Sequence, residues 1–306
     1  MRTRLVLLSG LLAAGGLSLT VAAAQQPAPM VIDVDKIKDN LYVLKGGGGN
    51  TALFITANGA VIVDTKLPGW GHTLLDKIKT ITDKPITTII NTHTHFDHVS
   101  GNPDLYAPNV EVIAQENTKT YIQQWNPVYG LAPNPLAEQN LIKQSGKGLP
   151  TKTFKDKLTV NKGADEVDLY YFGRAHTGGD AYVVFPALRV MHVGDTFPTR
   201  DLPIMDKNNG GSGVSFAATL TKAAAVPNVD TLINGHNDKT TTPADLREYA
   251  SFVGDFVSAV QAAKKSGSSV DDVVKAWKTP AKYAGYAMPQ ADRVRADAQV
   301  IWDETR

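Results

Sequence analysis

The chain has 306 residues, 42% hydrophobic and 20% charged, enough apolar material for one large domain or two small ones and too much for a peptide or a disordered tail. Lys and Arg (31) balance Asp and Glu (30) at a formal charge of +1 with no basic run, which argues against nucleic acid as a partner. Cysteine is absent, which excludes disulfides, thiolate nucleophiles and iron–sulfur clusters and leaves His, Asp and Glu to hold any metal.

The first 24 residues differ from the rest. Arg2 and Arg4 precede an apolar stretch from Leu5 to about Val21, and Ala22-Ala23-Ala24 supplies small residues for cleavage, so residues 1–24 read as a secretory signal peptide and 25–306 as the exported protein. Ser9, Gly10, Gly15, Gly16 and Ser18 make the run less apolar than a membrane span of ~20 residues, and no later segment is apolar enough to cross, so no membrane partner is expected after cleavage.

The mature chain opens on the polar, proline-containing Gln25-Gln26-Pro27-Ala28-Pro29, a loosely ordered start. Thr51–Thr56 and Ala60–Asp64 are β-rich runs joined by Ala57-Asn58-Gly59, where Asn-Gly suits the positive φ of a hairpin turn. After the breaker Pro68-Gly69-Trp70-Gly71, Leu74, Leu75, Ile78 and Ile81 repeat at helical spacing, and Pro85 introduces the strand Ile86–Ile90. Further strands are expected at Val110–Ala114, Val167–Phe172, Ala181–Phe185, Arg189–Val193 and Thr231–Ile233, with helices near Glu116–Gln124 and Val214–Ala225. A long helix covers Pro243–Lys265, and a short one runs through Trp277 after the Gly267-Ser268-Ser269 break. Strands and helices alternate, which is an α/β pattern. Trp125–Thr153 shows little periodicity and at that length reads as a functional loop or flap.

The chemistry sits at strand ends. Directly after Ile86–Ile90 comes Asn91-Thr92-His93-Thr94-His95-Phe96-Asp97-His98, with three of the chain's seven histidines and a carboxylate inside six residues. His93 and His95, two apart, face one side of an extended segment, while Asp97 and His98 lie past a turn and face a second position, so this motif alone fits two metals. His176 lies in Gly173-Arg174-Ala175-His176-Thr177-Gly178-Gly179-Asp180, Asp195 closes Met191-His192-Val193-Gly194-Asp195, and His236 closes Leu232-Ile233-Asn234-Gly235-His236. Each has the same strand-end address with glycine nearby; singly each reads as an ordinary loop residue, and their joint placement argues for a site. His72 and His192 lack that address: His72 opens a helix at the surface or site rim, and His192 packs or donates one hydrogen bond inside a strand. Asp64, ending Val61-Ile62-Val63, either hydrogen-bonds a ligating imidazole or only closes a turn.

The His-x-His-x-Asp-His motif and its strand-end companions resemble the metallo-β-lactamase superfamily, zinc hydrolases built as an αββα sandwich of two mixed β-sheets flanked by helices. The likeness runs from the Asn58-Gly59 hairpin to His236. It implies one zinc on His93, His95 and His176, a second on Asp97, His98 and His236, and Asp195 bridging both. Two such ions ~3.5–4 Å apart hold a hydroxide between them as nucleophile, and Asp97 is then the catalytic residue that orients it and shuttles its proton. Iron or manganese fits the same donors.

The resemblance implies a zinc-dependent periplasmic hydrolase of a small-molecule carbonyl substrate: an ester, thioester, lactone or lactam. The absence of cysteine excludes the lactamase subclass with a thiolate at the second zinc, and Asp195 departs from the serine of another subclass. A β-lactamase proper, a glyoxalase II-like thioesterase and a phosphodiesterase stay open, with a non-catalytic metal-binding protein as the reading from a different class. Substrate choice is expected to come from Lys45–Asn50 with its four glycines, from Trp125–Thr153 and from Phe197–Gly213. There Trp125 and Tyr129 offer apolar faces, and Arg200 or Lys207 offers a partner for an anionic group.

Overall fold

In the computed structural model, which describes residues 29–306, the expected hairpin belongs to a seven-stranded sheet ordered β1 (Asp33–Lys38), β2 (Leu41–Lys45), β3 (Thr51–Ile55), β4 (Ala60–Val63), β5 (Ile86–Ile90), β6 (Glu111–Gln115) and β7 (Lys152–Phe154). β1 to β4 pair antiparallel, and β4 to β7 pair parallel. Parallel neighbours need crossovers. These are α1 (Gly71–Lys79) before β5, α2 (Phe96–Val99) and α3 (Asn102–Leu105) before β6, and α4 (Glu116–Gln124) and α5 (Leu141–Ser145) before β7. The second sheet holds β8 (Lys157–Val160), β9 (Val167–Tyr170), β10 (Tyr182–Phe185), β11 (Val190–His192) and β12 (Thr231–Ile233). It is antiparallel except for the β11–β12 pair, which α6 (Gly213–Ala223) connects. α7 (Pro243–Lys265), α8 (Val270–Ala276) and α9 (Ala291–Glu304) follow. Both sheets are mixed and flanked by helices.

Three apolar layers hold this together. Between the sheets, Leu41, Phe54, Val61, Val63 and Ile90 meet Leu169, Val183, Phe185 and Ile233, and the Phe54 and Phe185 rings touch edge to face at 5.1 Å. Ala60, Ile62 and Ile89 point the other way and pack with Leu74 and Ile78 of α1, which is why β4 and the end of β5 are apolar on both faces instead of alternating. Outside the second sheet, Tyr182, Met191 and Leu232 pack with Phe216, Tyr249, Phe252, Phe256 and Ile301 of α6, α7 and α9. α7 starts where its sequence says it should. Thr242 and Asp245 form a reciprocal capping box with Pro243 in the first turn, a device worth ~1 kcal/mol.

Several elements depart from the sequence expectation. β1 is an edge strand exposed along most of its length, β7 is three residues long, and β8 turns only Leu158 and Val160 inward, so each carries too short an apolar pattern to mark it. α9 buries Val294, Val300 and Ile301 together with the small Ala296 and Ala298 and the acid Asp297, a mixture that dilutes its hydrophobic signal. Trp125–Thr153 is not structureless: it contains α5 and enters β7, and Trp125 Nε1 donates to Ala137 O at 2.8 Å, closing a loop. The expected signal peptide, residues 1–24, lies outside the described residues. Among those described, no helix is long and apolar enough to cross a membrane.

Candidate metal centre

Buried β5 delivers the histidine motif. The ladder continues past its end through Asn91 N to Ile113 O (3.0 Å), and Ala181 N donates to Thr92 O (2.7 Å), tying the motif to the second sheet. α2 then turns the chain, with His98 N donating to His95 O at 2.9 Å, so that Asp97 and His98 face away from the strand direction. His176 arrives from the loop between β9 and β10, Asp195 from the turn after β11 and His236 from the end of β12. The structure brings all seven side chains together where strand ends of the two sheets meet.

Two subsets meet there. Donor atoms of His93, His95, His176 and Asp195 lie within 4.8 Å of one another, as do those of Asp97, His98 and His236. Asp195 touches both: its Oδ2 is 3.9 Å from His176 Nε2 and 3.1 Å from His236 Nε2, and its Oδ1 is 3.3 Å from His98 Nε2. A Cβ at Gly235 would land on this carboxylate, so glycine there is a requirement of close approach.

The hydrogen-bond partners assign the tautomers. His95 Nε2 donates to Asp206 Oδ2 (2.8 Å) and His176 Nδ1 donates to Ile204 O (2.7 Å), leaving His95 Nδ1 and His176 Nε2 facing each other bare at 3.0 Å. Thr92 Oγ1 donates to Asp64 Oδ2 (2.7 Å), so its contact with His93 Nδ1 (3.0 Å) is one in which the imidazole donates. His93 Nε2 is therefore bare too, and it is buried without a hydrogen-bond partner. Burial, with the neighbouring imidazoles, lowers the pKa of His93 well below its usual value and that of His176 to about 3. Three converging nitrogen lone pairs beside a carboxylate repel one another unless a cation lies among them, and imidazole with carboxylate is a donor set that zinc accepts.

The second subset is charged differently. Burial works against a proton on His98, yet Asp195, Asp97 and Asp64 together hold its pKa well above the usual value. Asp195, opposed by burial, raises His236 to about 10. Burial pushes the Asp97 pKa up, but His98 and His236 outweigh it and bring it down to about 2. A cation at this position competes with those protons.

Asp64 meets both readings the sequence offered. It closes the end of β4 in a left-handed conformation (φ 62°), and its buried carboxylate accepts from His98 Nδ1 at 2.7 Å and from Thr92 N at 2.8 Å. His72 is 79% exposed on its side chain and faces Asp104, away from the cluster; His192 Nε2 donates to Asn50 O at 3.1 Å. Asp206 was not anticipated. It was one acid in a loop read as substrate-selecting, and no local spacing marks a partner 111 residues from His95. Its carboxylate also accepts from Tyr129 N (2.9 Å) and Asn209 Nδ2 (2.5 Å), so Asp206 anchors Phe197–Gly213 against the site. Arg200 and Lys207 are paired with Asp245 and Asp303. In the four-glycine loop, Gly49 and Asn50 are buried and Gly49 N donates to Asp97 O.

Comparison with known proteins agrees with this architecture. The family model of the metallo-beta-lactamase superfamily matches residues 44–236. A metallo-beta-lactamase type 2 of Elizabethkingia meningoseptica is 25% identical over 227 residues, 68% of this chain and 79% of that protein. Among solved structures, a metallo-beta-lactamase from Pontibacter korlensis superposes with a TM-score of 0.57 at 19% identity, covering 73% of this chain and 99% of that one. A double mutant of the sec-alkyl sulfatase PisA1 gives a TM-score of 0.66 at 16% identity, covering 88% and 50%. At these identities the two structural likenesses speak to the fold alone.

Proposed function

The chain belongs to the metallo-beta-lactamase superfamily, and we propose that it is an exported, periplasmic hydrolase that uses two zinc ions to cleave a small carbonyl compound: an ester, thioester, lactone or lactam. His93, His95 and His176 would hold one ion, Asp97, His98 and His236 the other, with Asp195 between them. The observation that carries this reading is the bare pair His95 Nδ1 and His176 Nε2 at 3.0 Å, each tautomer set by a partner on its far side. When bound, the ions would supply Lewis acidity to the carbonyl and acidify a water toward neutrality. Asp97, held ionised and 17% exposed at the rim, is the acceptor available to orient that water. The Arg2–Ala24 pattern supports export, and the likeness to the Elizabethkingia enzyme supports including lactams among the substrates.

The test is elemental analysis of zinc-reloaded protein followed by turnover of chromogenic ester, thioester, phosphodiester and cephalosporin compounds. Two ions per chain with hydrolysis of a carbonyl compound is expected. One ion or fewer under zinc excess overturns the dinuclear reading. Two ions with no turnover of any compound favours a metal-binding protein.

A further inference from the structure

Lys66 is fully buried, and nothing in the reaction outlined above uses it. It stands at a corner, Asp64-Thr65-Lys66, in which both Asp64 (φ 62°) and Lys66 (φ 82°) occupy the left-handed region that side chains avoid, a conformation kept only where surroundings over-determine it. The corner grips in two directions. Asp64 accepts from His98 Nδ1, Thr65 N donates to His98 O at 2.7 Å, and Lys66 reaches the opposite way. Its Nζ donates to Leu44 O and to Gly49 O, each at 2.6 Å, tying together the two ends of the glycine run.

That run is built to lie against the second subset. Gly46, Gly47 and Gly48 all have positive φ; a Cβ on Gly48 would strike Asp97, and one on Gly49, whose φ is ordinary, would strike the His98 ring. Gly49 N donates to Asp97 O at 3.1 Å. The next residue crosses to the other sheet: Asn50 N donates to Gly235 O (2.6 Å), and Asn50 Nδ2 to Asn234 O (2.9 Å) and Asn237 O (2.8 Å), bracketing His236. Gly46–Asn50 is thus a strut between Asp97 and His98 on one sheet and His236 on the other, 138 residues apart.

We propose that Lys66 is a positioning residue for the second metal position, acting through this strut: its amine fixes Gly46–Asn50, which sets the spacing of Asp97 and His98 from His236. The inference rests on the two-ion reading above. Burial lowers the Lys66 pKa to about 7 against the pull of Asp64 and Asp97, so this amine is kept in an unfavourable place. Methionine would fill the volume and leave both carbonyls without their donor.

The experiment is zinc titration of apo wild type, Lys66→Met and Gly49→Ala, with cobalt substitution read by visible absorption and thermal melting in parallel. Residues that orient ligands typically change metal affinity by ~10–100-fold. In both variants the weaker ion is expected to lose affinity about tenfold or more, with loss of the cobalt bands of that ion, while the tighter ion keeps its wild-type constant. Gly49→Ala presses its Cβ directly on the His98 ring and is the positive control for selective loss of that ion, while Lys66→Gln, which keeps a donor for one carbonyl, keeps the inference testable if Lys66→Met does not fold. Equal weakening of both ions means Lys66 only stabilises the fold, and unchanged binding of both means the strut is not needed; either overturns the inference. A wild type that binds a single ion overturns the two-ion reading and this inference together, whereas two ions in wild type with unselective variants overturn this inference alone.

Discussion

His93 and His176 reach their meeting point beside His95 as neutral rings, whereas His98 and His236 reach theirs carrying protons among three carboxylates. The first group is sealed, with each imidazole at most 5% exposed and held on its far nitrogen by Thr92, Asp206 or Ile204 O. The second opens to the rim through His236, 34% exposed on its side chain, while His98 is as buried as the first group. The same residue types therefore give two different affinities. Burial keeps protons off His93 and His176, so a cation on their nitrogens displaces none; at the other group it must expel protons that the carboxylates stabilise. We expect ordered loading, the sealed position first.

Three experiments can break or sharpen that contrast. The largest effect should follow Asp206→Ala, which frees His95 Nε2 and lets the ring take the other tautomer. The affinity of the tighter ion should fall by ~10–100-fold, read by competition with a chelating dye. An effect confined to the weaker ion would reverse the assignment of the two groups.

The second is pH. His236 is raised from 6.5 to about 10, so in the metal-free protein its ion pair contributes stability that is fully present below pH 6.5 and is lost as pH rises through about 10. The melting temperature of apo protein should therefore fall between pH 7 and 10, and that of the two-ion form should not, because the cation replaces the proton. Affinity for the weaker ion should climb over the same range with measurable proton release, while the tighter ion stays flat, His176 having a pKa of about 3. Proton release on binding the first equivalent would contradict the contrast.

The smallest effect is expected from the Trp125–Thr153 segment. Phe96, Trp125, Val128, Leu131 and Ala137 line a cavity of about 510 Å³ beside the motif, and Leu131 is 44% exposed. Leu131→Asp should raise KM roughly fivefold for compounds with an apolar arm, as a loss of about 1 kcal/mol of half-buried contact implies, and leave metal content unchanged. Altered zinc stoichiometry would show that the segment serves the metal centre instead.

Much of this was legible along the chain. The hairpin at Asn58-Gly59, the strand Ile86–Ile90 and the helix Pro243–Lys265 carry their own period or turn chemistry, and the structure has them at or near those places. The edge strands β1, β7 and β8 were not legible, because each puts only one or two apolar side chains against the core. Two loops read as substrate-selecting, Lys45–Asn50 and Phe197–Gly213, also support the buried cluster, a role their sequences do not reveal. Glycine and mixed polarity look the same in a mobile loop and in a segment packed against a buried cluster, and only the neighbours distinguish them.

The sequence by itself determined the inventory: which imidazoles and carboxylates stand at strand ends, and that no thiolate is among them. Only the tertiary structure decided what each could do. His95 presents Nδ1 to its neighbours and His176 presents Nε2 because Asp206 and the carbonyl of Ile204 occupy the other nitrogens, and His98 keeps a proton that His93 cannot because three carboxylates surround one ring and three imidazoles the other. A side chain's charge state is set by what surrounds it in space, and here those surroundings range from the next residue, Asp97 beside His98, to Asp206, 111 positions from His95.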